Sequence, residues 1–396
     1  MKVAVLFHRL GPYHLARLKA ASALCELHAI EFSTVDDTYA WDVVEEKLHF
    51  GRTTLFTDDD VEKKSTFAIM QALKNAFAVI KPEVVAIPGW SGRPAFLALA
   101  LCREIGIPAI AMSDSTEHDH PRYWWKEWLK RCVAKNFTAG LVGGRPHAEY
   151  THKLGVPSDR IFTGYDVVDN NYFLVGASDA RKNAEQLRAQ HTLPENYFLA
   201  SNRFVTKKNI DGLIRAYGAY RARVGLHGWK LVLLGDGELR PQIEGLISKL
   251  DLGGDVLLAG FKQYPDLPVY YGLASAYVQA STTEQWGLVV NEAMAAGLPV
   301  LVSNRCGCAP DLVRKGENGF TFNPYDINQL TDQLVKISSK DVDRKAMGGE
   351  SQKIISAWSP ETFAENLFLA AKAALSTPQK PFNLFDKCVL QALGYR

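Results

Sequence analysis

The sequence predicts an α/β protein of two doubly wound, parallel-sheet domains, on three observations. The chain has 396 residues, which suits two or three domains with full cores. Short apolar runs alternate with amphipathic helical patterns in both halves. Hydrophobic residues make up 47% and charged residues 22%, the balance of a soluble α/β protein. The net charge of +2 lacks the basic bias of a nucleic-acid binder, so no nucleic-acid partner is expected.

In the first half the expected strands are KVAVLF (2–7), LHAIEF (27–32), VVAIP (84–88), PAIAM (108–112), AGLVG (139–143) and RIFTG (160–164). Helical patterns cover 67–80 and 94–106, where Gly106-Ile107-Pro108 stops one helix and starts the next strand. In the second half YFLAS (197–201), KLVLLG (230–235), DVLLAG (255–260), AYVQAS (276–281) and PVLVSN (299–304) read as buried parallel strands. The polar segment 176–196 places the boundary, giving domains of 1–180 and 181–357. A last helix opens at Trp358, with Ser359 as N-cap and Pro360 at the first helical position. It and the tail to residue 396 are expected to pack back on the first domain.

Six cysteines are scattered without a CxxC pair, so free thiols in a reducing cytosol are expected, and Cys306-Gly-Cys308 is read as packing. The leading apolar run has five residues, too short for a signal-peptide core. No stretch reaches the ~18 apolar residues of a membrane span. The expectation is a cytoplasmic protein, or one peripheral on the inner face of a membrane. The segment 122–137 supplies the membrane option: Trp124, Trp125 and Trp128 are mixed with Arg122, Lys126, Lys130, Arg131 and Lys135, which suits an anionic interface. The alternatives are a core helix edge with solvated cations, or an acceptor-binding wall.

The chemistry concentrates at strand ends. Glu284 and Glu292 stand eight positions apart, the first in the loop after AYVQAS and the second two turns on, inside a helix that starts near Gly287. Backbone N–H groups of Trp286, Gly287 and Leu288 at that helix start suit an anion or a sugar hydroxyl. Carboxylates accept several charge-assisted hydrogen bonds and so suit hydroxyls. The plainer alternative makes Glu284 a helix cap and Glu292 a surface residue. Arg203 and Lys208 follow the strand 197–201 and precede a helix, a pattern fit for a diphosphate; a solvated basic loop is the alternative. Gly235-Asp-Gly237 is half a dinucleotide fingerprint, with Arg240 where a third glycine should fall, and reads as a tight turn near a nucleotide. Gly11 falls just before a helix beginning near Tyr13 or His14. Asp114, His118 and His120 cluster after PAIAM, suited to hydrogen bonding a polar substrate rather than to a metal.

These pieces together resemble the retaining glycosyltransferases of the GT-B fold, family 4 group. EQWGLVVNE fits the family's E-x7-E motif, and NRFVTKKN its donor-phosphate stretch. LLGDGELRPQI, the LLAGF turn, AMAAGLPVL and ENGFTF are further family-like pieces, and the last helix is similar to the family's crossover helix. The resemblance implies two Rossmann-like domains facing a cleft that closes on a nucleotide-sugar donor. Glu292 would accept ribose hydroxyls, and Glu284 with the backbone at Gly287 would hold the sugar. Arg203 and Lys208 would neutralise the diphosphate, with Gly11 facing it, and Phe261 and Lys262 would meet the base. Either Asp114 or His118 would stand near the anomeric carbon. A donor phosphate oxygen would deprotonate the acceptor, with no metal and no cofactor. The expected activity is retaining transfer of a hexose from a UDP- or GDP-sugar to a hydroxyl of a glycan or lipid-linked acceptor, in envelope polysaccharide or glycolipid synthesis. The rivals are a nicotinamide-dependent oxidoreductase and a GT-B epimerase or phosphorylase.

Overall fold

The computed structural model describes residues 1–34, 48–57, 60–90, 92–119 and 121–394. His120 lies outside them. The described chain divides into two compact units, Met1–Val167 with Trp358–Arg396, and Val168–Ala357.

The first unit carries seven strands: β1 (Lys2–Phe7), β2 (Glu26–Ser33), β3 (Gly51–Phe56), β4 (Val84–Pro88), β5 (Ala109–Ser113), β6 (Ala139–Val142) and β7 (Ile161–Phe162). All pairs are parallel, in the order β3-β2-β1-β4-β5-β6-β7. β1, β4, β5 and β6 are buried on both faces, which is why they read as continuous apolar runs. β3 is absent from the sequence reading, because GRTTLF is a half-buried edge strand with Arg52, Thr53 and Thr54 in its middle. Its Arg52 Nε and Thr54 hydroxyl both donate to the buried Glu31 carboxylate, at 2.8 and 2.5 Å.

The closing helix, Pro360–Ser376, starts as expected, with the Ser359 hydroxyl accepting from Thr362 N–H. Its apolar stripe (Phe363, Leu367, Ala370, Ala371, Ala374) is buried in the first unit's core, beside Val3, Val5 and Leu18. The tail, for which the sequence suggests no structure, forms a helix, Leu384–Gly394. It docks on helix Arg93–Ile105, where Gly394 stands so close that a Cβ there would lie 2.6 Å from Leu97 Cδ2.

The second unit carries β8 (Tyr197–Ser201), β9 (Lys230–Leu234), β10 (Val256–Gly260), β11 (Ala276–Gln279), β12 (Val300–Ser303) and β13 (Gly319–Phe322). They form a parallel sheet in the order β10-β9-β8-β11-β12-β13. The strand sequence reverses direction across β8 and β11, the point at which open α/β sheets bind ligands beyond their carboxyl ends.

The boundary expected at 180/181 falls instead after Val167. The polar segment 176–196 is no linker: most of it, as far as His191, lies in helices Asn170–Lys182 and Ala184–His191. The first of these buries Phe173, Ala177 and Ala180 and packs on helix Leu267–Leu273. Glycine allows that approach, since a Cβ at Gly272 would lie 2.8 Å from Ala177 O.

Candidate functional site

At the carboxyl ends of β8 and β11 two loops meet. After β11 the chain runs through Ser281 to Glu284 and enters helix Leu288–Ala295 at Gly287, whose left-handed backbone (φ 108°) favours glycine. The Cys306–Cys308 turn braces this loop: Glu284 N–H donates to Arg305 O (3.3 Å), and Gly307 N–H to Glu284 O (2.9 Å). Both thiols are buried. Burial, first, and then Cys308 and Glu284 push the Cys306 thiol well above its usual range. The loop after β8 contains a one-turn helix, Thr206–Lys208, and then Asn209 with a left-handed backbone. Asn209 Nδ2 donates to Ala280 O (3.1 Å), and Thr282 N–H donates to Lys207 O (2.8 Å). The two loops are therefore stitched together.

This stitching brings the Lys208 ammonium onto Glu284 Oε2. The same oxygen accepts from Ser281 Oγ (3.1 Å) and Gln279 Nε2 (3.2 Å). Both side chains of the ion pair are 13% exposed. No described residue donates to Oε1, so the carboxylate is held through one oxygen only.

Glu292 is 0% exposed and accepts from the Tyr271 hydroxyl at 2.6 Å. A buried carboxylate requires such donors. Tyr271 stands edge-on to Phe173, and Tyr264 stacks on Tyr172 at 4.6 Å. Burial, then the Glu292 charge, push the Tyr264 hydroxyl above its usual range. In the same helix Asn291 Oδ1 accepts from the Trp286 indole (2.9 Å). The surface alternative for Glu292 thus fails on burial.

Arg203 is exposed in the loop after β8. Its neighbours on both sides are tied to the end of β9 and the turn after it: Asn202 N–H donates to Leu234 O (3.0 Å) and Phe204 N–H to Asp236 O (2.8 Å). A Cβ at Gly235 would lie 1.9 Å from Asn202 O, and one at Gly237 2.8 Å from Phe204 O. Two glycines at this spacing are thus required by backbone against backbone, without any nucleotide. Phe261 is exposed just past β10, and Lys262 Nζ lies 5.4 Å from the Tyr270 ring centroid.

In the first unit Gly11 caps helix Pro12–Ser22, and its N–H donates to His14 Nδ1 (3.1 Å). Burial, then the Arg17 charge, lower His14 to about 3. Asp114, beyond β5, lies close enough to Asp166 for their charges to interact. Burial and then Asp114 push the Asp166 carboxyl up to about 8, against the pull of Arg17. Arg17 itself is buried, donating from Nε to Val167 O (3.0 Å). His118 is exposed, in a loop ordered by Asp119 accepting from Thr116 N–H (2.7 Å) and Oγ1 (2.6 Å). Asp166, Asn202, Tyr271, Gln279 and Ser281 are absent from the sequence reading. A signal existed for Gln279 alone, a long polar side chain inside an apolar strand.

Helix Trp124–Ala134 exposes its aromatics, Trp124 by 84%. Beside it the tail helix exposes Leu384 and Phe385, with Phe385 edge-on to Trp128 at 6.0 Å. Asp386 pairs with Lys135 (2.8 Å), and Glu127 with Arg122 (2.9 Å). Among the described residues no helix is long and apolar enough to cross a membrane.

Residues 183–354 match the family Glycosyl transferases group 1. The chain is 24% identical over 286 residues to the alpha-D-kanosaminyltransferase of Streptomyces kanamyceticus, covering 69% of this chain and 72% of that one. It is 28% identical over 293 residues to the GDP-mannose-dependent alpha-(1-6)-phosphatidylinositol monomannoside mannosyltransferase of Mycobacterium tuberculosis, covering 70% and 74%. Of other curated relatives it spans less, 63% of a glucosyldiacylglycerol synthase and 18% of a sucrose-phosphate synthase. Anabaena HepE, solved with UDP, shares the fold with a TM-score of 0.70 at 18% identity, over 93% of this chain and 98% of that one.

Proposed function

Because the chain is a glycosyltransferase of GT-B type, its group 1 match spanning residues 183–354, we propose that it transfers a hexose, with retention, from a UDP- or GDP-sugar to a hydroxyl of a glycan or lipid-linked acceptor. The observation that carries the reading is the Lys208–Glu284 pair at the switch point of the second sheet, with the Glu284 carboxylate held through one oxygen only. In this reading Glu284 holds a sugar hydroxyl, and Glu292 anchors the nucleoside. The bond between the anomeric carbon and the donor phosphate breaks. The acceptor oxygen bonds to that carbon on the same face, and its proton passes to a leaving phosphate oxygen. Arg203 and Lys208 stabilise the charge that gathers on the diphosphate, which lets the chemistry run without a metal. The UDP of HepE and the GDP-mannose in the mycobacterial relative's name support both nucleotides as donors to test. The nicotinamide rival loses ground because Gly235 and Gly237 are occupied by the backbone of Asn202 and Phe204.

A panel of UDP- and GDP-sugars, read by nucleotide release, tests the reading, with the product anomer assigned by NMR. Release from one donor with retained configuration is expected. Binding of NAD with no binding of either nucleoside diphosphate refutes it. The reading includes a membrane acceptor reached through Trp124, Trp125 and Trp128, now joined by Leu384 and Phe385. The two acids of this surface are paired, which leaves Lys126 and Arg131 to meet anionic headgroups. Trp124→Ala with Trp125→Ala should lower sedimentation with anionic vesicles, and equal sedimentation removes the membrane contact.

A further inference from the structure

The second sheet carries a buried hydrogen-bond donor that the roles above leave unused. Gln279 is fully buried. Its Oε1 accepts from the Tyr277 hydroxyl (2.8 Å), and its Nε2 lies 3.2 Å from Glu284 Oε2. A carboxylate paired with Lys208 only accepts, so it must see the amide nitrogen of Gln279. That nitrogen also lies 2.9 Å from Asn202, and two amino groups cannot face each other. Asn202 must therefore present Oδ1 to Gln279. The charge on Glu284 thus sets the orientation of two amides in succession.

Asn202 Nδ2 is left on the far side of its amide. The residue is 8% exposed, yet this nitrogen is buried with no acceptor among the described residues. The backbone cannot swing to relieve it: Asn202 N–H is bonded to Leu234 O, and its carbonyl is pressed against Gly235. A buried amino group is costly to leave unbonded, so a ligand atom is the natural partner.

We infer that Asn202 Nδ2 donates a hydrogen bond to a phosphate oxygen of the bound nucleoside diphosphate. The NH2 group only donates and a phosphate oxygen only accepts, so the two are complementary. Arg203, the next residue, supplies positive charge in the same loop. Asn202 is thereby a third donor beside Arg203 and Lys208. The inference rests on the nucleotide-sugar reading and adds a binding residue to it.

The test is calorimetry of wild type, Asn202→Asp and Asn202→Ser with UDP, GDP and the matching nucleosides, alongside melting curves. For whichever diphosphate wild type binds, Kd should rise about 10-fold or more in Asn202→Asp, and less in Asn202→Ser, with nucleoside binding unchanged. Unchanged diphosphate affinity in both folded variants overturns the inference. So does a loss seen only with the nucleotide-sugar, which would move the contact to the sugar. If wild type binds neither diphosphate, the functional reading fails first. Should both variants unfold, a crystal structure of wild type with the diphosphate decides: a phosphate oxygen within 3.5 Å of Nδ2, the usual hydrogen-bond limit, is expected. A longer distance overturns the inference.

Discussion

Replacing Tyr271 by Phe removes one oxygen and keeps the ring in its place between Phe173 and Tyr277, each 5.8 Å away between centroids. The Glu292 carboxylate, 0% exposed, then loses the 2.6 Å bond from that oxygen. Hydrogen bonds to charged groups contribute about 1.5–3 kcal/mol, and leaving a buried charge short of a donor places the cost toward the upper half. The void of one oxygen adds little beside this. A loss of about 2 kcal/mol corresponds to a Tm drop of roughly 4–8 °C for a unit of this size. Urea denaturation with an unchanged m-value is the assay. A double-mutant cycle isolates the cause. In a Glu292→Gln background the Tyr271→Phe cost should shrink to about 1 kcal/mol, because the bond is then between neutral groups. A Tyr271→Phe cost below about 0.5 kcal/mol refutes the argument, being no more than an ordinary surface change. An equal cost in both backgrounds refutes the charge assignment.

Lys208→Met should cut kcat/KM about 100-fold or more, since the role proposed for Lys208 is a preorganised charge at the diphosphate; steady-state rates on the accepted donor check it, with Lys208→Arg recovering part. Gly235→Ala should destabilise by roughly 2–4 kcal/mol, because its Cβ would lie 1.9 Å from Asn202 O on a backbone with φ of 115°; a melting curve matching wild type contradicts the close approach. Burial and then the Asp114 charge push the Asp166 carboxyl up to about 8 in the fold, above the ~3.9 of an unfolded aspartate. The folded state therefore binds the extra proton, so this contribution is whole below about pH 4 and is lost as pH rises through about 8. Asp166→Asn should flatten the decline in Tm between pH 5 and 9, and an unchanged pH profile contradicts a protonated Asp166.

The local code was legible wherever one residue or one run decides an element. β1, β4 and β8 stand where the apolar runs KVAVLF, VVAIP and YFLAS end and begin, because strands buried on both faces need no partner information to be apolar. Ser359 capped its helix, and Gly287 opened the one that carries Glu292, since caps and left-handed turns are residue-level chemistry. The pair Glu284 and Lys208 was legible as two candidates on two loops. Edge strand β3 was not, for its half-exposed Thr and Arg side chains earn their place only from Glu31 on the neighbouring strand.

What the sequence determined by itself is the alternation of strand and helix, and with it the chemistry available at each strand end. What only the tertiary structure decided is which ends are neighbours. Placing β8 beside β11, 75 residues on in the chain, joined Lys208 to Glu284 and set Gln279 against Asn202. It also enclosed Glu292 with Tyr271. Long-range burial then turned ordinary polar residues into oriented donors, because a side chain out of reach of water must take the partner that the fold provides.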